Sequence, residues 1–143
     1  MRKMMLAVLM TALACSCTTT LYNWGGGPLS ETSSYEERTY AYFNRQTPES
    51  LCALVCMYED IVSSPGGTRQ VPPPGVCAEY GYLLLMQGTA ETFASHASSM
   101  QKRRFKSADY TSIFAERGRQ MLQRELELYP ESQRFIAPLL KKL

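Results

Sequence analysis

Three cysteines and one histidine are the residues in the body of the chain that could bind a metal or form a disulfide. Cys52 and Cys56 lie four positions apart, on one face of a predicted helix, and Cys77 begins the next helix. A zinc site would need His96 as its fourth ligand, and two cysteines at this spacing within one helix are uncommon for structural zinc. A bridge between Cys52 and Cys56 would be strained because their Cβ bonds run parallel, whereas Cys77 could bridge to either. Packed thiols are therefore favoured, with one disulfide or a metal site as the alternatives.

The residues that could act in catalysis are the same histidine and a lone carboxylate. His96 stands among serines 95, 98 and 99, too close along one helix-like stretch to form a catalytic triad, and the sequence has no nucleophile-elbow motif. Glu79 could act as an acid or base only with a partner group. These patterns favour a protein without catalytic residues, cofactor or metal. A small enzyme that uses Glu79 or His96 is the alternative.

The first 14 residues have the pattern of an export signal. Arg2 and Lys3 precede an uncharged stretch, residues 4–14, in which only Thr11 is polar. As a helix this stretch would span about 16 Å, well short of the ~30 Å hydrocarbon core of a bilayer. A cleavable signal over residues 1–14 is therefore favoured over a transmembrane span.

The end of the signal, Ala12-Leu13-Ala14-Cys15, resembles the lipobox of bacterial lipoproteins. The resemblance implies cleavage before Cys15 and acylation of that cysteine with palmitate-type chains, and several chains together anchor a protein stably. Cleavage before Cys17 and simple secretion are the alternatives. Ser16, by analogy with lipoprotein sorting, favours the outer membrane as the destination.

A segment rich in Ser, Thr and Gly, residues 15–34, follows the lipobox and predicts a flexible tether. It contains Tyr22 and Trp24, the latter being the only tryptophan of the chain. These aromatic side chains either dock on the protein's own domain or contact a partner or the membrane interface, and they are retained as candidate partner-binding residues.

Without its export signal the chain is electrically balanced. It carries 15 lysines and arginines and 13 acidic side chains, and removal of Arg2 and Lys3 leaves 13 of each. A general nucleic-acid-binding protein would carry a strong basic excess, so nucleic acid is not an expected partner. One cationic run surrounds Phe105 and forms either a solvated loop or a surface for an acidic partner or lipid headgroups. Its members are Lys102, Arg103, Arg104 and Lys106.

Residues 35–143 have helical periodicity and no strong strand pattern, which predicts an all-α domain. Thr47 and Pro48 form a helix start, and helices are also predicted over 76–87, 112–128 and 131–143. Pro138 is expected to kink or shorten the last helix. The stripes assigned to helix faces are Tyr35, Thr39, Tyr42 and Phe43; Leu51, Leu54, Val55, Tyr58 and Val62; Val76, Tyr80, Leu83 and Leu84; Phe114, Met121, Leu122 and Tyr129; and Phe135, Ile136, Leu139 and Leu140.

The second half of the domain resembles a tetratricopeptide repeat. Gly81 and Pro130 take the consensus glycine and proline positions, and Gly118 and Leu122 take the small and apolar positions of the second helix. The consensus separates that glycine and proline by about 24 residues, whereas here they are 49 apart, so an insert near 89–113 is expected to lie outside the minimal fold. The resemblance implies antiparallel helix pairs followed by a C-terminal capping helix.

Three motifs in this order resemble a family of small bacterial lipoproteins, the domain-of-unknown-function family 4810. They are Leu21-Tyr22-Asn23-Trp24-Gly25, the stretch from Pro72 to Leu85, and the stretch from Glu125 to Ser132 followed by Phe135-Ile136. Members of that family are similar to tetratricopeptide modules and are commonly encoded beside a lipoprotein resembling the curli-secretion channel protein. The resemblance implies a non-enzymatic envelope lipoprotein on the periplasmic side of the outer membrane, an interaction or assembly module whose partner is that channel-like lipoprotein. A small envelope enzyme and a purely structural lipoprotein are the alternatives.

Overall fold

The computed structural model describes residues 20–26, 34–106 and 108–142, so the predicted signal and both Cys15 and Cys17 lie outside the described residues. Within these ranges the chain is all-helical, as predicted, and contains no strand. None of these helices has the length and apolar character needed to cross a bilayer. The elements are α1 (Ser34–Arg45), α2 (Pro48–Ser63), α3 (Val76–Leu85), α4 (Thr89–His96), α5 (Ser99–Lys102), α6 (Tyr110–Leu128), a 3-10 turn (Pro130–Ser132) and α7 (Gln133–Leu140).

The first helix pair consists of α1 and α2, joined by only two residues. Such a short connection reverses the chain and places the two helices antiparallel. Thr47 caps α2: its hydroxyl accepts from the Ser50 N–H at 3.2 Å, and the Ser50 hydroxyl accepts from the Thr47 N–H at 3.0 Å. This reciprocal box, with Pro48 in the first helical position, confirms the predicted start of α2. The stripe predicted for this helix is buried throughout.

The second pair consists of α3 and α6, which pack against each other over their length. A Cβ atom added to Gly81 would lie 2.7 Å from the Gly118 carbonyl oxygen and 3.0 Å from the Leu122 Cγ. The two backbones therefore approach so closely that only glycine fits at the crossing. Leu84 and Leu122 are both buried beside it. This geometry confirms the tetratricopeptide-like pairing predicted from the spacing.

The residues between the two helices of this pair are part of the core, contrary to the expectation of a dispensable insert. They form α4 and α5, and Phe93 on α4 has 0% of its surface exposed. Its ring centroid lies 5.2 Å from that of Phe105, 5.2 Å from that of Tyr110 and 5.3 Å from that of Phe114. The segment thus closes over α2 and α6 with an aromatic cluster instead of looping away from the domain.

Gly88 and Tyr110 shift two predicted helix boundaries. Gly88 adopts a left-handed φ of 86° and precedes α4, so it begins that helix and α3 ends earlier, at Leu85. At the start of α6 the Asp109 carboxylate accepts from the Ser112 N–H at 3.2 Å, and the helix begins at Tyr110, two residues earlier than predicted. An aspartate at this position satisfies an N–H group that has no partner within the helix.

Three side chains assigned to inward stripes face solvent instead: Phe43 is 70% exposed, Phe135 is 63% exposed and Leu139 is exposed. α1 packs mainly on α2 and reaches α3 through the hydrogen bond between Tyr35 and Glu79, and α7 packs mainly on α6 and the 3-10 turn. α1 therefore has no fully buried residue and α7 buries only Ile136, and both helices leave apolar side chains in water.

Candidate functional site

A groove with a volume of about 1240 Å³ opens between α1, α2 and α3. Leu54 and Leu83 are buried residues that line it, and four exposed or partly exposed side chains stand along it. Those four are Tyr40, Phe43, Tyr82 and Met86. Single exposed apolar residues are ordinary on protein surfaces, but a contiguous apolar patch marks an interaction site. The groove is the strongest candidate functional site among the described residues.

One wall of the groove carries a carboxylate that is held by two tyrosines. The Tyr35 and Tyr58 hydroxyls each donate to the Oε2 atom of Glu79 at 2.7 Å. Burial, and to a smaller extent the neighbouring Glu79 carboxylate, raises the pKa of Tyr35 and of Tyr58 above the usual value for tyrosine. Both hydroxyls therefore keep their protons and act as donors. The Tyr58 ring also stacks on Tyr80, with centroids 5.7 Å apart. The network joins α1, α2 and α3 and fixes the width of the groove.

The charge of the groove has one sign. Glu36, Glu37 and Glu79 are among its lining residues, and no lysine or arginine is. Glu36 and Glu37 stand in the first turn of α1, where the helix dipole favours negative charge. The site is therefore apolar along its length and acidic at its edge, which complements an apolar segment that also carries a cation.

Behind the groove, one partly buried carboxylate and one buried carboxylate fix α3 to its neighbours. Glu59 on α2 accepts from the Tyr80 hydroxyl at 2.7 Å and pairs with the Arg117 guanidinium at 2.8 Å. Glu125 on α6 accepts from the backbone N–H groups of Gly75 and Ala78 at the start of α3, at 2.8 and 3.3 Å. Burial raises the pKa of Glu125, and these hydrogen bonds oppose the rise. The sequence analysis did not identify Glu59 or Glu125 as structural residues. For Glu125 a signal was present, because it lies three residues after Leu122 and therefore on the apolar face of the predicted helix.

The two aromatic residues of the tether dock on the protein's own domain. The Thr68 and Arg69 N–H groups donate to the carbonyl oxygens of Thr20 and Leu21 at 3.0 and 3.1 Å. The Arg69 guanidinium lies 5.8 Å from the Tyr22 ring centroid. The rings of Trp24 and Tyr35 meet edge to face, 4.9 Å apart. Of the alternatives left open for Tyr22 and Trp24, docking on the domain is the one present in the structure.

The cationic run does not form one surface free for a partner. The Arg104 guanidinium makes two 2.8 Å hydrogen bonds to the Asp60 carboxylate on α2, and the Lys102 ammonium donates to the Ala94 carbonyl at 2.6 Å. Arg103 and Lys106 are exposed. None of the four lines the groove, so the structure separates this sequence-predicted site from the apolar one.

The remaining candidate residues also lie apart from the groove. Cys52, Cys56 and Cys77 are buried free thiols, and burial raises the pKa of Cys56 and of Cys77 to about 11. Within the described ranges no three potential ligands are grouped as a metal site would require. His96 ends α4 at an exposed position.

No known family model matches this chain, and no curated protein or solved structure is significantly similar to it. The resemblance noted in the sequence thus rests on its motifs alone.

Proposed function

We propose that this protein is a membrane-anchored envelope lipoprotein that acts without catalysis, as an interaction or assembly accessory module. The observation that carries the proposal is the groove between α1, α2 and α3, where Tyr40, Phe43 and Tyr82 stand in solvent along an apolar floor. Leaving such side chains in water costs free energy that a partner recovers by covering them. The groove is therefore the surface through which the module binds.

The partner segment should combine large apolar side chains with at least one lysine or arginine. The apolar side chains would occupy the floor near Leu54 and Leu83, and the cation would meet the carboxylates of Glu36, Glu37 or Glu79. Family resemblance makes a curli-secretion-channel-like lipoprotein in an outer-membrane complex the expected owner of that segment. Such a partner is a protein of the same compartment, which fits the predicted export of this chain.

The geometry supports binding better than the enzymatic alternative. The two tyrosine hydroxyls on Oε2 make Glu79 a structural acceptor that joins three helices, and no histidine or cysteine among the described residues lines the groove as a catalytic partner for it. His96, the other residue considered, is not among the lining residues. A structural lipoprotein without a partner would gain nothing from three exposed aromatic rings on one groove.

Photo-crosslinking in the native envelope tests the groove. A benzophenone side chain in place of Phe43 should give one discrete cross-linked product with another envelope protein, and adding Tyr82→Glu should abolish that product by placing a charge on the apolar wall. A benzophenone at Met100, which is equally exposed but lies outside the groove, is the matched control. Equal products from positions 43 and 100, or persistence in the Tyr82→Glu chain, would reject the groove as the binding site.

Lipidation is tested at its own residue. Cys15→Ser should remove the fatty-acid label and leave the signal uncut by the lipoprotein peptidase. Cys17→Ser is the control and should be labelled and processed normally. A labelled, normally processed Cys15→Ser chain would show that the anchor lies elsewhere.

A further inference from the structure

α7 presents an apolar and cationic surface that its packing does not use. Phe135 and Leu139 lie one turn apart on the same face, and both are exposed, while the adjoining strip of the helix buries Ile136 against the domain. The Arg134 guanidinium lies 4.5 Å from the Phe135 ring centroid. Lys141 follows the helix directly.

This surface has a net positive charge. Between residues 130 and 142 the cations are Arg134, Lys141 and Lys142, all exposed, and Glu131 is the one acidic side chain. Aromatic and aliphatic side chains beside several cations are the composition of helices that lie in a bilayer interface, where the cations meet anionic headgroups.

α7 also begins close to the point where the tether leaves the domain. The Tyr22 side chain lies beside the Tyr129 hydroxyl, which donates to the Pro72 carbonyl at 2.6 Å. The Ser132 N–H donates to the Tyr129 carbonyl at 2.9 Å, and α7 starts at the next residue. The tether and α7 are thus joined through a single tyrosine.

The tether is too short to hold this end of the domain far from a bilayer. Thr20 is hydrogen-bonded to the domain through its carbonyl oxygen, and five residue steps separate it from Cys15. Even a fully extended chain covers at most about 18 Å in five steps. If Cys15 carries the lipid, the docked tether keeps Thr20 within about 18 Å of the lipidated residue, so the neighbourhood of Tyr129 stays close to the headgroups.

We propose that α7 is a membrane-contact helix: Phe135 and Leu139 enter the bilayer interface, and Arg134, Lys141 and Lys142 bind anionic headgroups. The occupant of this face is the lipid surface to which the chain is anchored, so the inference rests on the lipidation in the proposed function. No residue of α7 lines the groove, which stays open to a partner while α7 touches the membrane. The contact gives the domain a fixed orientation on the membrane, whereas the lipid anchor alone would allow the domain to rotate.

The test uses the full lipidated chain in vesicles of phosphatidylethanolamine and phosphatidylglycerol. A benzophenone side chain replaces Phe135 in one sample and Phe43 in the other, which are matched aromatic positions at 63% and 70% exposure. After irradiation, mass spectrometry counts phospholipid adducts at each position. We expect at least about tenfold more adducts at 135 than at 43, because only an interfacial helix remains among the lipids.

A second pair of variants tests the cations. Changing Arg134, Lys141 and Lys142 to Gln should lower the adduct yield at position 135 about fivefold or more, since each surface cation contributes substantially to binding anionic lipid. The control changes three exposed cations elsewhere, Arg38, Arg45 and Arg119, to Gln and should leave the yield unchanged.

Three outcomes would overturn the inference: equal adducts at 135 and 43, adducts from 135 to a second copy of the chain, or none at 135 although the N-terminal peptide carries lipid. The mass of that peptide separates this failure from failure of the proposed function. A mature N-terminus without lipid removes the anchor itself, and with it the contact proposed for α7.

Discussion

Gly81→Ala gives the sharpest test of the fold that supports the groove, because it places one methyl group at the crossing of α3 and α6. The new Cβ atom would lie 2.7 Å from the Gly118 carbonyl oxygen and 3.0 Å from the Leu122 Cγ. Non-bonded carbon and oxygen atoms approach to about 3.3 Å. The two helices must therefore separate by about 0.6 Å, and every side chain packed between them must adjust.

Two opposing effects decide the magnitude. Inserting a methyl group into a packed core costs about 1–3 kcal/mol, and this site belongs at the upper end because the obstructing atoms are backbone and a buried leucine. Alanine in a helix is favoured over glycine by about 1 kcal/mol. We expect Gly81→Ala to lower the free energy of unfolding by about 2 kcal/mol. Gly118→Ala should cost less, because its nearest obstacle is the half-buried Leu85 side chain at the end of α3.

Urea unfolding followed by far-ultraviolet circular dichroism measures the change. Gln123 is exposed on α6, so Gln123→Ala compared with Gln123→Gly reports the helix-propensity effect without any clash. If Gly81→Ala stabilises the protein by the amount of this control, α3 and α6 do not cross closely and the pairing is refuted.

Three further predictions concern the core, the ion pairs and the pH dependence. Leu84→Ala should cost about 2–5 kcal/mol because the side chain is buried, and the exposed Leu139→Ala should cost far less; equal losses in urea unfolding would contradict the packing. Arg104→Gln should lower the free energy of unfolding by less than about 1 kcal/mol, because the side chains of Arg104 and Asp60 are 32% and 57% exposed. Arg117→Gln should lower it by about 2–3 kcal/mol, because the side chains of Arg117 and Glu59 are only 27% and 12% exposed and Glu59 also binds Tyr80. A larger loss for Arg104→Gln than for Arg117→Gln in urea unfolding would contradict this ranking. Burial raises the pKa of Cys56 and Cys77 from 9.0 to about 11, and burial with nearby carboxylates raises that of Tyr58 and Tyr80 above 10.0. The folded state holds these protons more tightly, so the stability they contribute is complete below pH 9.0 and is lost as the pH rises through about 11; a urea midpoint that stays constant over that interval would refute it.

The sequence predicted the parts of the fold that depend on local or strictly spaced signals. Thr47 and Pro48 predicted the start of α2 correctly because helix capping and the fixed φ of proline depend only on neighbouring residues. Gly81, Gly118 and Leu122 were found because the repeat places them at set intervals. The stripe on α2 was correct since that helix is long and buried on most of its surface, which leaves little choice of face.

The groove and the short helices could not be predicted in the same way. α4 and α5 span eight and four residues, too few for a helical period to stand out. Phe43 and Phe135 repeat at the spacing of core residues, and only the number of neighbouring helices decides that they face solvent. The groove itself joins α1, α2 and α3, whose arrangement is set by the Glu79 and Glu59 networks. Those contacts join residues up to 58 positions apart, beyond any local pattern.

The aromatic cluster around Phe93 bears on how freely this chain can change in length. The 25 inserted residues lengthen the chain between the crossing residues Gly81 and Gly118 to 37 residues, about three times the ~12 that the consensus spacing leaves there. Loop closure costs only about 0.6 kcal/mol for each doubling of length, whereas complete burial of one phenylalanine side chain stabilises the fold by about 1.5–3 kcal/mol. The cost of closing a longer connection is therefore no larger than the gain from one such buried ring, so loop length by itself is a weak constraint. Across relatives of this protein, the connection between α3 and α6 should vary widely in length. Each version should carry one aromatic residue that packs where Phe93 packs here.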